Sequence, residues 1–392
     1  MKQVKSLLVT VMLASSSLAL GQGADKSKLT MQEAETFPHA GVVVSLPDGF
    51  EHSPGQHVTH VFQAGLTSGD DLLQLINLSA HVVRKPTSND ARYKHFPSLS
   101  GSGEQLALMF MARRKMPQIK NLKVRSEVKL PIAGKKADAR ITSFTQGKIE
   151  TYVAEVCFLR ELVAGELNIC YVLSVESVAA QKASLLDVFG EIIRNLKLTD
   201  LAGPLEMTQS KKDSILVSQG LASSIQIPHG WYATENGSVI TFGQVDYKAG
   251  QLEVINGSLR VGVLPGNVIT AKNYVDDSLK QQFKDNETVK IVEDVPTKWG
   301  DKDGHQLIIK QITKPPADSP ETASDSVVVV VYRVAASGNE GGGTEINILQ
   351  LVFRADVDLT KAKAMTDRLA NGFKRIPLPK EPIEESGTTP EP

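Results

Sequence analysis

Apolar and polar residues alternate along most of this chain in short runs, and the runs come twice in the same order. GVVVSLPDGF, residues 41–50, returns as SSIQIPHGW, residues 223–231: an alternating apolar strand, then Pro, a polar residue, Gly and an aromatic. Alternation with period two turns one strand face to a core, and Pro followed by Gly ends the strand, since Pro fixes φ and Gly tolerates a positive value. The units also close alike, with NICYVLSVES…FGEIIRNLKL at 168–198 and NILQLVFRAD…LANGFKRI at 347–376. Each is a hydrophobic strand running into an amphipathic helix and a short tail.

The pattern between these ends predicts matching elements. In the first unit, strands are expected at 41–46 and 58–65, with two more inside 71–85. A helix follows at 102–116, started by a Ser102/Gln105 capping box, then strands at 122–130 and 137–144, a hairpin around VAGE, and a helix at 179–195. In the second, strands are expected at 224–227, 238–244 and 252–263, then a helix at 270–283. Strands at 289–295, 305–311, 326–336 and 345–353 and a helix at 360–373 complete the unit. Five consecutive valines in SVVVVVYRVAA favour a strand buried on both faces. The fold class is α+β: two tandem sandwich-like units, each with a mainly antiparallel sheet covered by two principal helices.

The expected boundaries are a first unit at 37–198, a linker at 199–215, a second unit at 216–376 and a disordered tail at 377–392, rich in Pro and Glu. Residues 21–37 read as polar and loose. Ahead of them, Lys2 and Lys5 precede the apolar stretch SLLVTVMLASSSLAL, which ends in small residues. This is the form of a secretory signal over 1–21, and the run is short for a membrane span. The mature chain is therefore expected to be soluble and extracytoplasmic, periplasmic or secreted, with no transmembrane segment.

At 392 residues and a formal charge of −1, the chain suits two domains and carries no long basic run that would call for nucleic acid. Two cysteines, Cys157 and Cys170, flank the predicted hairpin. A hairpin symmetric about VAGE places them opposite each other, with Cβ atoms about 4.5–5.5 Å apart, near the range a disulfide prefers. A disulfide and a pair of buried free thiols both fit, and the second unit has neither cysteine.

The repeated strand-Pro-x-Gly-aromatic opening and the closing strand-helix tail resemble the Mog1/PsbP-like superfamily, once over 37–198 and once over 216–376. The resemblance implies a helix-sheet-helix sandwich whose business is protein binding and assembly rather than catalysis. It brings no functional residue that can be placed on this chain.

Chemistry-bearing clusters are few. His52, His57 and His60 lie close together, with His39 nearby, but His57 and His60 would point to opposite faces of a strand, so no metal site is expected. No G-x-S-x-G occurs, and GNEGGG leads into a strand, not a phosphate-binding helix. Asp301 and Asp303 read as a polar turn. No catalytic residue, cofactor or metal is assigned. The basic run Arg113, Arg114, Lys115, Lys120 and Lys123, together with Trp299, is the candidate partner-binding set. The expected function is non-catalytic binding of a protein at the cell envelope; the alternatives are a hydrolase with scattered residues and a carrier of a small apolar ligand.

Overall fold

A computed structural model describes residues 29–69, 71–203, 213–247, 253–265, 269–313, 326–338 and 343–376. The expected signal segment and tail, and most of the expected linker, lie outside these residues.

The first unit runs β1 (Glu35–Phe37), β2 (Val42–Val44), β3 (Glu51–Ser53), β4 (His60–Ser68), β5 (Asp71–Arg84), α1 (Ser102–Arg114), β6 (Ile119–Ile132), β7 (Lys135–Gln146), β8 (Ile149–Val163), β9 (Leu167–Val178), α2 (Lys182–Asn195) and β10 (Lys197–Leu198). The second runs β11 (Ser214–Ser218), β12 (Ser223–Ile227), β13 (Tyr232–Asn236), β14 (Val239–Asp246), β15 (Glu253–Pro265), α3 (Ala271–Tyr274), α4 (Lys280–Phe283), β16 (Val289–Trp299), β17 (Lys302–Thr313), β18 (Ser326–Gly338), β19 (Gly343–Arg354), α5 (Leu359–Gly372) and β20 (Phe373–Arg375). A single π turn, Val275–Leu279, joins α3 to α4.

Each unit has a seven-stranded antiparallel sheet, ordered β3-β4-β5-β9-β8-β7-β6 in one and β13-β14-β15-β19-β18-β17-β16 in the other. Each adds a small sheet, β1-β2-β10 or β11-β12-β20, beside its last helix. The α+β expectation of two tandem sandwich-like units therefore holds. The valine strand β18 lies inside its sheet between β17 and β19. The Pro-x-Gly turns form as read, with φ of 87° at Gly49 and 78° at Gly230.

Local departures have local causes. The two strands expected in 71–85 are one, because Asn77, Ser79 and His81 continue one face while buried Ile76, Leu78 and Ala80 continue the other. Residues 35–37, expected to be loose, form β1 against β2. The capping box is absent: Gly101 is the N-cap without a side-chain bond, and Ser102, inside the helix, donates to Asp138. Ser100 instead meets Glu104, through its N–H at 2.7 Å and its hydroxyl at 2.6 Å.

The two large sheets meet at β3 and β13. Gly55 bridges Tyr232 in parallel, and Ala233 N–H donates to Gly55 O at 2.7 Å. Tyr247, at the end of β14, is buried within the first unit's core cluster and donates its hydroxyl to Ala80 O.

Candidate functional site

Helix α1 lies on the face of the first sheet that carries Val83, Cys157, Cys170 and Val172. Its buried positions are few, namely Ser102, Leu106 and Arg113. Arg113 forms an ion pair with fully buried Glu155 on β8. Glu176, on β9 across from Val153, sits beside this pair. Burial pushes its carboxyl up to about 8; the Arg113 charge opposes that and the Glu155 charge adds to it. Burial thus favours the neutral acid at Glu176, and the Arg113 cation is left to Glu155 under the helix.

The cysteines share this layer. Cys157 faces Val172 and Cys170 faces Leu159, so the two are diagonal neighbours, yet their Sγ atoms are 3.4 Å apart. They are not directly opposite because the hairpin turns on Gly165, φ 76°, one step beyond the expected centre. His81 stands across from Cys170 on β5. The Cys157 hydrogen bond, helped by His81, holds the Cys170 thiol down against the effect of burial, and the same bond pushes Cys157 up. Both cysteines are free thiols in this structure.

With its inner face so occupied, α1 turns apolar residues outward. Leu108 is 54% exposed, Met111 46% and Met116 38%; Val124 on the edge strand β6 is 42% exposed. Arg114, Lys115, Lys120 and Lys123 are exposed along the same stretch. Four of the six predicted partner-binding residues therefore share this helix and strand. Arg113 is inside, committed to Glu155. Trp299 belongs to the other unit and is 4% exposed, edge-on to Phe373 at 5.7 Å. The sequence signal that α1 would expose apolar residues was the amphipathic mismatch itself: Arg113 takes a place on the inner side while Leu108 and Met111 do not.

The histidines divide. His52 Nε2 lies 2.7 Å from Glu35 Oε2 and His229 Nε2 3.9 Å from it. His229 stacks on Phe37 at 4.1 Å, and its backbone N–H donates to Asp213 Oδ1 at 3.0 Å. Asp213 in turn pairs with Arg368. His39 is buried against Gly230, whose added Cβ would lie 2.6 Å from the His39 ring. Burial lowers His39 to about 3, aided by His229, and lowers His229 to about 4. His57 and His60 stay together outside this group, with ring centroids 6.0 Å apart. Read as a turn residue equivalent to exposed Asp48, His229 is instead a buried part of the contact between units. No local pattern could reveal that, because its neighbours come from the far end of the chain.

Elsewhere, His305 Nε2 meets Asp294 Oδ1 at 2.6 Å, and Lys280 pairs with the same carboxylate. Among the described residues, no group of three His, Cys, Asp or Glu is arranged to hold a metal ion, and no helix is long and apolar enough to cross a membrane. Two clefts of about 280 and 310 Å³ are present, one between α1 and the β6–β7 strands, the other at the β16–β17 turn.

No family model matches the chain. No curated protein matches it either. Solved structures do. LpqN of Mycobacterium tuberculosis, described as involved in cell envelope biogenesis, is 12% identical over 40% of this chain and 83% of its own, with a TM-score of 0.30. The PsbP of Synechocystis sp. PCC 6803 is 10% identical over 46% of this chain and 98% of its own, TM-score 0.31. TplEi, a type VI secretion immunity protein of Pseudomonas aeruginosa, is 8% identical over 90% and 98%, TM-score 0.23.

Proposed function

We propose that the chain is a tandem pair of Mog1/PsbP-like units that acts outside the cytoplasm by binding a protein, with no reaction of its own. The observation that carries this reading is the outward face of α1 and its edge strand. Leu108, Met111, Met116 and Val124 are large apolar side chains left in solvent, with Arg114 and Lys115 exposed beside them and Lys120 and Lys123 exposed on the edge strand. An apolar centre with a charged rim is the composition of a protein interface, and the unbranched methionines adapt to a partner's contour. The cationic rim favours an acidic partner surface. Arg113 and Glu155 fasten the helix from below, so the face is offered on a rigid element.

The test places a photoreactive amino acid at Met111 and, as a control, at Val263, which is 52% exposed in the second unit. Irradiation in the native envelope is expected to give a discrete protein adduct from Met111 that is lost when Lys115 and Lys123 become Glu. Adducts that form equally at Val263, or that survive the charge reversal, overturn the reading.

A further inference from the structure

The second unit contains a built cleft of about 310 Å³ lined by Trp299, Gly300, Asp301, Lys302, Ala335, Asn347 and the β20 residues Phe373 to Arg375. It exists because the β16–β17 hairpin is longer than its counterpart. Beyond Pro131 the first hairpin makes a single further pair, Ile132 with Lys135. Beyond Pro296 the second makes Thr297 with Gly304, Lys298 with Asp303 and Trp299 with Lys302. The added pairs carry Trp299 over Phe373, forming a wall that the first unit lacks.

Two polar atoms in this lining have no hydrogen-bond partner: the Trp299 indole Nε1 and the Asn347 amide Oδ1. Both residues are more than nine-tenths buried, Trp299 at 4% and Asn347 at 1% exposure. A buried donor or acceptor left unmade costs about 1–3 kcal/mol, so the pair is a standing demand for a ligand that answers both. Asn347 is held in place from its other side, where Nδ2 donates to Glu345 Oε1 at 3.1 Å. Glu345 is itself engaged by Arg375 at 3.0 Å, with Lys302 at 3.9 Å. Lys302, Lys374 and Arg375 face two carboxylates, Asp301 and Glu345, and leave the rim cationic.

We infer that this cleft binds a short acidic segment of peptide chain. The segment's backbone supplies a carbonyl for the Trp299 N–H and an N–H for Asn347 Oδ1. An apolar side chain lies against Trp299, Phe373 and Ala335, and a carboxylate meets Lys374 and Lys302. The inference rests on the protein-binding reading and assigns to the second unit its own contact with an acidic polypeptide.

The chain has two tryptophans, so the indole N–H resonances of Trp231 and Trp299 can be followed separately in the full-length protein, with Trp299→Phe as the assignment. The probe is N-acetyl-leucyl-glutamate. A saturable shift of the Trp299 signal with a Kd of about 1 mM is expected, while Trp231 stays in place. Asn347→Ser and Lys374→Gln are each expected to weaken binding about tenfold, roughly one lost hydrogen bond or ion pair. Lys374 is exposed, so its variant remains informative if Asn347→Ser fails to fold. No Trp299 shift, an equal response to the neutral N-acetyl-leucyl-glutamine amide, or a tighter response to D-glucuronate overturns the inference. If it fails while the Met111 adduct persists, the protein-binding reading stands without this cleft; if the adduct fails while the indole shift persists, the α1 face alone falls.

Discussion

The two units share strand order and helix order but place their buried charge on opposite faces of the sheet. In the first, the polar layer lies under α1: Arg113, Glu155, Glu176, His81 and the cysteines. Its α2 side is mainly apolar, with Phe158 stacked on Tyr171 at 4.9 Å and one neutral polar group in which Gln74 donates to Ser177 at 2.9 Å and Ser184 at 3.0 Å. In the second, the α3–α4 side is an aliphatic layer of Leu307, Ile309, Val330, Val334 and Ile346. On that side His305 also meets Asp294, which pairs with Lys280 of α4. Its buried arginine lies under α5, where Arg333 reaches Gln306 at 2.7 Å and Asp367 at 2.5 Å. Layer order is thus independent of which layer carries charge. What the fold demands is two apolar-enough faces; a buried ion pair can replace part of either, provided both partners arrive together.

That contrast predicts unequal costs. Arg113→Met is expected to destabilise by about 3–5 kcal/mol, because it leaves fully buried Glu155 without its cation. Arg333→Met should cost less, about 1–2 kcal/mol, since its partner Asp367 is half exposed and water can take over its charge. Urea unfolding of the two variants reads the difference. Equal midpoints for both would show that the burial of Glu155 does not matter.

The contact between units and the first unit's core should respond to pH in opposite senses. His39 and His229 have folded values of about 3 and 4, below the unfolded 6.5. Their neutral forms therefore contribute stability that is full above pH 6.5 and is lost as pH falls toward 4. Glu35, His52 and Asp213 face the same group, and the nearby carboxylates temper the loss. From pH 7 to 5 the expected loss is about 4 kcal/mol for the two histidines together, read first as faster hydrogen exchange at Ala233, whose amide bonds Gly55 O across the contact. Glu176 works the other way. Its folded value of about 8 exceeds the unfolded 4.5, so its contribution is full below pH 4.5 and disappears as pH rises through 8. Glu176→Gln is expected to lie near the parent's stability at pH 5 and to exceed it at pH 9, the gap widening by about 4 kcal/mol. A variant that tracks the parent at both pH values would mean that Glu176 is ionised in the fold.

The sheet and its helices were legible because period-two and period-3.6 patterns are local. LLQLINLSAHVV and SVVVVVYRVAA declare their faces within a dozen residues. The repeat itself announced two units, and Trp231 lies buried where its match to Phe50 placed it. The polar core was not legible: Arg113 reads as one more residue in a basic run until Glu155 is known to lie beneath it. The same holds for His229 with Glu35 and Phe37, and for Trp299 with Asn347. Each of these groups unites residues from distant parts of the chain, and no short-range pattern records which buried groups will meet. The set Arg114, Lys115, Lys120 and Lys123 was visible as composition, while the outward apolar residues Leu108 and Met111 carry no mark in the sequence that sets them apart from core positions.

The smallest expected change in stability belongs to that outer face. Met111→Asp replaces a half-exposed side chain on α1 that makes no ion pair and fills no core position, so the unfolding midpoint should move by no more than about 0.5 kcal/mol. An anionic residue at the centre of an apolar patch with a cationic rim should instead repel an acidic partner and carry a desolvation cost into any interface. The same substitution at Val263 offers a matched exposed position in the second unit, outside the proposed face. Binding to envelope material, followed by retention of the labelled protein, is expected to fall at least tenfold for Met111→Asp and to be unchanged for Val263→Asp. Loss in both variants would point to general surface stickiness, and loss of folding in Met111→Asp would show that α1 depends on its outer residues as well as on the Arg113–Glu155 pair beneath it.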